Sequence, residues 1–154
     1  MLNRSSPITL QAIGVVHSDF KKPTSARLDL KKIRASLEIN FELTEALEGL
    51  EGFSHIIVLY WLHSAVFDKN NLKTYPMGNQ NVPLQGLFAV RTPRRPNPIG
   101  ISTVSLLSRK GNILEVQGLD AIDGSPVLDI KPYIPGYDST ANATVPDWVK
   151  IEEY

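Results

Sequence analysis

Short apolar runs of period two, separated by turn residues, constrain this chain more than any other feature. Leu37, Ile39 and Phe41 alternate with Ser36, Glu38 and Asn40, the pattern of a strand with one face in a core and one in water. Ile8, Leu10 and Ala12 alternate with Thr9 and Gln11 and lead into Ile13 and Val15, which predicts another strand. Phe53 to Leu62, bounded by Gly52 and rich in β-branched and aromatic residues, reads as a strand buried on both faces. Gly86 to Arg91 and Ile101 to Leu107 add two more, and Lys110-Gly111-Asn112 turns the chain into Ile113 to Leu119. Asp123-Gly124 stands between LDAI and VLDI as a hairpin signal. Only Thr44, ahead of EALEGLEG, suggests an N-cap, on a short helix ending at Gly49 or Gly52. At least seven strand candidates, no βαβ alternation and no repeat predict a mainly β chain, folded as a small closed or nearly closed β-barrel with one or two short helices. A length of 154 residues predicts one domain, 1–154, and 42% apolar residues supply a core that needs no staple.

Composition removes whole classes of chemistry. With no cysteine there is no disulfide, thiolate metal site, iron–sulfur cluster or cysteine nucleophile, which accords with a cytoplasmic location. The histidines, His17, His55 and His63, do not make a metal site by spacing: on one strand His55 and His63 stand about 26 Å apart at roughly 3.3 Å per residue. No metal is expected. The longest apolar stretch, Ile56 to Leu62, is far short of the roughly 20 residues of a membrane helix, so no membrane partner is expected either. Glycine-rich dinucleotide and P-loop signatures and the G-x-S-x-G elbow are all missing.

Charge is neutral in sum and segregated in detail. Lys21, Lys22, Arg27, Lys31, Lys32 and Arg34 face only Asp29 within residues 21–34, whereas Glu38 to Glu51 holds five acids and no base. The positive loop is a local platform for a polyanion. Residues 67–83 form a polar excursion of the length that loops with a function adopt. The segment RTPRRPNPIG, Arg91 to Gly100, carries prolines at 93, 96 and 98, which fix φ and remove three backbone donors. It is either a stiff ligand wall, with Arg91, Arg94 and Arg95 offering guanidiniums to an anion and Gly100 admitting a ligand to the backbone, or a crossover whose arginines are solvated. Asp120, Asp129 and Lys131 interrupt the last strand-like stretch, where charges are seldom buried unless paired or at a site.

IGVVHSDFKKP, LEGFSHIIVLYWLH, FAVRTPRRPNPIGIS and GLDAIDGSPVLDIKPYIPGYD closely resemble the TsaA-like family, also called YaeB-like or TrmO-type, over nearly all of residues 8–138. The resemblance implies a small β-barrel that binds S-adenosylmethionine without a Rossmann sheet, and a homodimer. It also implies an activity: methylation of N6 of threonylcarbamoyladenosine at position 37 of tRNA. By matching position, the donor pocket would include His63, Ser64, Arg91 (V-R-T-P here for the family's T-R-S-P), Ile101, and Ile122, Asp123, Gly124 and Ser125 (DGSP here for DGTP). The family's P-R-Q in the first loop is replaced by KKPTSARL, so Ser25, Ala26 and Arg27 stand for it. Longer bacterial members carry a C-terminal extension that helps hold tRNA, and this sequence ends at Tyr154, which leaves the tRNA substrate open. A ureido-purine nitrogen is a poor nucleophile, and Asp123 is the expected general base. Two alternatives share the same pocket: a non-catalytic S-adenosylmethionine-binding module, and a methyltransferase with a small-molecule acceptor. The homodimer expectation also rests on apolar Trp148, Val149 and Ile151 near the C-terminus.

Overall fold

The computed structural model describes residues 7–22 and 29–149. Its strands are β1 (Gly14–His17), β2 (Arg34–Ile39), β3 (His55–Trp61), β4 (Lys73–Thr74), β5 (Gln85–Gly86), β6 (Ile99–Lys110), β7 (Ile113–Gln117) and β8 (Pro126–Pro132). Six of them close an antiparallel barrel in the order β1-β2-β7-β6-β3-β8, with β8 pairing back onto β1 at Gly14↔Val127, while β4 and β5 form a separate ribbon. One four-residue helix, α1 (Pro135–Asp138), and short 3₁₀ turns complete the described residues. No helix among them is long and apolar enough to cross a membrane.

Strand alternation places the core inside the barrel. Ile56, Val58 and Tyr60 pair with Val104, Ser102 and Gly100, so these residues point inward together. Val16, Leu37, Ile56, Val58, Leu114, Val116 and Val127 are all fully buried. Each such side chain contributes roughly 1.5–3 kcal/mol relative to leaving it in water. Gly100 is required because a β-carbon there would run into the Tyr60 ring. The expectation that Gly100 admits a ligand is therefore corrected: its missing side chain admits a tyrosine.

The two rims differ. β1, β3 and β7 run one way and β2, β6 and β8 the other. At the upper rim lie three connections: β1–β2, described over residues 18–22 and 29–33, β3–β6 (62–98) and β7–β8 (118–125). The lower rim carries the β2–β3 connection and the tight β6–β7 turn at Gly111. A 3₁₀ turn, Phe41–Leu47, closes that end by burying Leu47, with Leu43 and Leu50 packed against the core.

Several boundaries depart from expectation for identifiable reasons. Residues 8–12 are exposed coil, since their alternate apolar groups meet no partner strand among the described residues, and the strand starts only at Gly14. The short helix begins after Asn40, ahead of Thr44, and is 3₁₀. β3 buries one face, while Ile57, Leu59 and Trp61 on the outer face are half-buried. The stretch from Gly86 to Arg91 is extended only at its start and then coils at Leu87–Ala89, because Arg95 draws in its carbonyls. Asp123-Gly124 is a turn, with Gly124 at φ 77°, and no hairpin. LDAI is a crossover that drops Leu119 and Ala121 into the core, and β8 pairs with β1 and β3.

Candidate functional site

Every described residue named for the donor pocket lies at or just below the upper rim, whereas Asp129 and Lys131 lie further down β8 and pair with each other (2.7 Å). Ile122, Asp123, Gly124 and Ser125 form the turn that enters β8, closed by Ser125 N–H donating to the Ile122 carbonyl (3.2 Å). This turn is laced to the end of β1. Asp123 and Gly124 N–H donate to the Phe20 and Val16 carbonyls (2.6 and 2.8 Å), and Val16 N–H donates to Ser125 O (2.9 Å). Ser125 is buried at 1% exposure, and its hydroxyl is the buried side-chain oxygen without a partner among the described residues. An orphaned hydroxyl costs about 1–3 kcal/mol, so its retention at a rim marks a place where a ligand atom would fit.

Asp123 is fully engaged. Its Oδ1 accepts from Ser18 N–H (3.0 Å) and its Oδ2 lies 2.8 Å from Lys21 Nζ. The Lys21 ammonium, helped by that N–H, holds the carboxyl below its ordinary value. A carboxylate so held is a weak base. Asp123 also lines a cleft of about 410 Å³ with His17, Lys21, Arg34 and Glu115.

Asp120 has the opposite character. Its carbonyl accepts from the Tyr60 hydroxyl, which also lies 3.1 Å from Ser102 Oγ. Burial pushes the Tyr60 hydroxyl up to about 12, against a partial pull from Ser102 and the nearby Arg91 charge. Although Asp120 reaches solvent, desolvation by the protein around its carboxyl raises its pKa above the ordinary value. Sequence reasoning saw Asp120 as a charge among strand residues but gave it no role, because its contact with Tyr60 joins residues sixty apart in the chain.

The remaining nominated residues are distributed around the rim. His63 and Ser64 sit on an exposed turn just beyond β3, fastened by Leu62 N–H to the Pro98 carbonyl (2.8 Å). That bond ties the proline segment to the end of β3 and occupies the Pro98 carbonyl. Arg91 is exposed and lines a second, smaller notch with Tyr75 and Arg94. Ile101 projects from the outer wall, 52% exposed, beside Leu59. Ser25, Ala26 and Arg27 lie outside the described residues.

The three arginines of the proline segment part company. Arg95 turns inward, its Nη1 donating to the carbonyls of Leu87 (3.1 Å), Val90 (2.7 Å) and Thr92 (3.5 Å), with the guanidinium 5.5 Å from the Phe88 ring centre. It is a clamp for the loop. Arg91 and Arg94 face outward. Arg95 thus fits neither reading, being neither solvated nor open to an anion, while Arg91 and Arg94 are exposed.

The histidines also separate. His17 pairs with Glu38 (2.7 Å), His55 at the lower end of β3 meets Ser54 and Ser105, and His63 is at the upper rim. No cluster of metal-ligating side chains occurs among the described residues.

Comparison with known proteins bears on this geometry. The family model for the tRNA-methyltransferase O N-terminal domain matches residues 14–139. An S-adenosyl-L-methionine-binding protein of Archaeoglobus fulgidus is 44% identical, covering 84% of this chain and 91% of that protein. A Mus musculus tRNA (adenine(37)-N6)-methyltransferase is 42% identical over 74% of this chain and 26% of its own length. The crystal structure of TrmO from P. aeruginosa superposes with a TM-score of 0.75 at 32% identity, covering 99% of this chain and 64% of that one. The chain thus spans less than two thirds of that solved protein.

Proposed function

The chain belongs to the tRNA-methyltransferase O N-terminal domain family, and from that premise we propose that it methylates tRNA with S-adenosylmethionine as donor. The acceptor is N6 of the adenine at position 37, in its threonylcarbamoylated form. The observation that carries the reading is the extent of the family match: it runs from the first residue of β1 to the residue after α1 and so takes in the barrel and all three upper connections.

The residues present fit the donor. S-adenosylmethionine supplies, when bound, a methyl carbon on a positively charged sulfur, and what remains for the protein is alignment and proton removal. Ser125 offers the buried hydroxyl that lacks a partner. Ile122 and Gly124 present backbone beside it, His63 and Ser64 face the same rim, and Arg91 offers a guanidinium to a carboxylate or phosphate. Ser25, Ala26 and Arg27 complete the pocket from the β1–β2 connection in this proposal. Asp123 acts by position, tying Lys21 and Ser18 to the turn. The proton of the acceptor nitrogen goes to Asp120, whose raised pKa makes it the stronger base of the two. A base works deprotonated, so activity falls as pH drops through the Asp120 pKa, at a higher pH than for an ordinary aspartate. Asp120→Asn removes that acid limb, whereas Asp123→Asn keeps it; the converse result in a pH–rate profile returns the base role to Asp123.

We further propose that the protein is a cytoplasmic homodimer. The outer wall of Leu59, Trp61, Ile99 and Ile101 is an apolar sheet face for a second copy. A monomeric mass by light scattering at micromolar concentration sinks that part.

The decisive experiment incubates the protein with methyl-labelled S-adenosylmethionine and total tRNA, then digests the RNA to nucleosides. Label in an N6-methylated adenosine derivative is expected. The donor should also raise the melting temperature, since at 100 times its dissociation constant it contributes about 2.7 kcal/mol. Stabilisation without label in RNA would favour the non-catalytic binding module, in line with the A. fulgidus relative, which is named for binding alone. Label in a small molecule would move the acceptor.

A further inference from the structure

The smaller notch shares only Arg91 with the residues assigned to the donor, and the rest of its lining has no part in donor binding. It lies between the 3₁₀ turn at Pro76–Gly78 and the start of the proline segment, and its volume is about 220 Å³. Pockets that enclose a whole drug-sized ligand run to roughly 300–1,000 Å³, so this one admits a single ring system and not a full nucleoside cofactor with its amino-acid tail. Tyr75, Met77, Val90 and Pro93 give it apolar walls, and Arg91 and Arg94 stand among its lining residues. Neither arginine makes an ion pair among the described residues, and no carboxylate lines the notch. A flat apolar body carrying negative charge matches such a lining: one nucleotide, its base against the walls and its phosphate at the guanidiniums.

The notch is also preformed. Pro76 is buried, Met77 is held at φ 49° beside Gly78 at φ 73°, and the Arg95 clamp fixes the Val90 and Thr92 carbonyls on the opposite wall. A rigid wall loses less entropy when it takes up a ring. Arg91 belongs both to this notch and to the surroundings of Tyr60, whose carbonyl partner is Asp120. The notch therefore adjoins the face on which methyl transfer is proposed.

We propose that this notch binds a single-stranded nucleotide of the RNA, flanking the base to be methylated, by stacking on Tyr75 and Met77 and by contact of its phosphate with Arg91 and Arg94. The inference rests on the RNA reading of the function and adds to it a second point of contact, for an unpaired nucleotide beside the acceptor, since a base held in a duplex cannot enter.

The test uses the whole chain, a fluorescently labelled tRNA anticodon stem-loop for binding by anisotropy, and full-length tRNA for methyl transfer. Tyr75→Ala and Arg94→Ser should each weaken stem-loop binding about tenfold, raise KM for tRNA and leave S-adenosylmethionine affinity and melting temperature unmoved. Phe41→Ala, on the opposite rim, should leave RNA binding as it is. Methyl transfer to tRNA with stem-loop binding indifferent to both notch variants overturns the notch and leaves the functional reading standing. Stem-loop binding that depends on Tyr75, without methyl transfer, keeps the notch and removes the functional reading. Loss of donor affinity in Tyr75→Ala would make the notch part of the donor pocket, and absence of stem-loop binding by the unaltered protein, or displacement by an acidic peptide as readily as by RNA, also overturns it.

Discussion

The upper and lower rims are built from the same six strands, yet one is closed and the other elaborated. At the lower rim the connection between β2 and β3 folds back as a 3₁₀ plug, and Arg109 links it to the β6–β7 turn through Glu51, the Thr44 carbonyl and the Gly111 carbonyl. Asn112 adds a bond to the Ile39 carbonyl (2.6 Å). Its polar groups are satisfied by one another. The upper rim holds an orphaned hydroxyl, a carboxyl whose pKa is raised and two outward arginines. The nominated side chains thus gather at one rim while the other is sealed by its own side chains, and the β1–β8 seam that closes the barrel, at Val15↔Pro126 and Gly14↔Val127, runs just beneath the nominated rim.

The largest effect should come from the plug. Leu47→Ala removes a side chain that is 5% exposed, and deleting a buried leucine costs about 2–5 kcal/mol. Denaturant titration should show that loss while the folded fraction binds S-adenosylmethionine as before. A change in donor affinity would contradict the division between rims.

Tyr60 is the exception that couples the ends, since its ring is core and its hydroxyl holds the Asp120 carbonyl at the rim. Tyr60→Phe should cost about 1–3 kcal/mol by leaving that carbonyl and Ser102 short of a partner. It should also weaken methyl transfer, because Asp120 is no longer held. An unchanged kcat would detach Asp120 from the reaction.

A smaller effect is expected at Asp123, and it depends on pH. Its folded pKa is depressed, chiefly by Lys21, so its stabilisation is present above the unfolded value of about 3.9 and is lost as pH falls through the folded value. Melting temperature should therefore drop on acidification below about pH 4 more steeply in the unaltered protein than in Asp123→Asn. Parallel acid curves for the two would mean that the Lys21 pair does not persist in solution.

Smallest in stability should be the combined replacement of Lys31, Lys32 and Arg34 by serine. These side chains are exposed, and among the described residues only the Lys32–Asp29 pair (2.8 Å) is lost at the surface. Melting temperature should not move measurably, whereas tRNA affinity should fall and lose part of its salt dependence. If the salt slope is unaltered, the positive loop is not the RNA footprint and Arg94 carries more of it.

Where the interior was concerned, little more than the sequence was needed. The alternation at Leu37–Phe41 and the β-branched run after Gly52 announce β2 and the inner face of β3, because a period of two records which side chains face an apolar interior. The same rule failed at residues 8–12, where alternation exists and no neighbouring strand among the described residues uses it. The candidate site was legible as a set of positions through the family's strings, yet not as an arrangement. Arg94 and Arg95 are adjacent and identical, and only the fold makes one a clamp on three carbonyls and the other a surface cation. Asp120 and Asp123 likewise stand three residues apart with pKa values displaced in opposite directions. The amino-acid order by itself announced β2, β3, β6 and β7, the barrel class and the family. The roles of individual charges were decided by tertiary structure, since a charge is set by its desolvation and its partners, and those arrive from strands and connections distant in sequence.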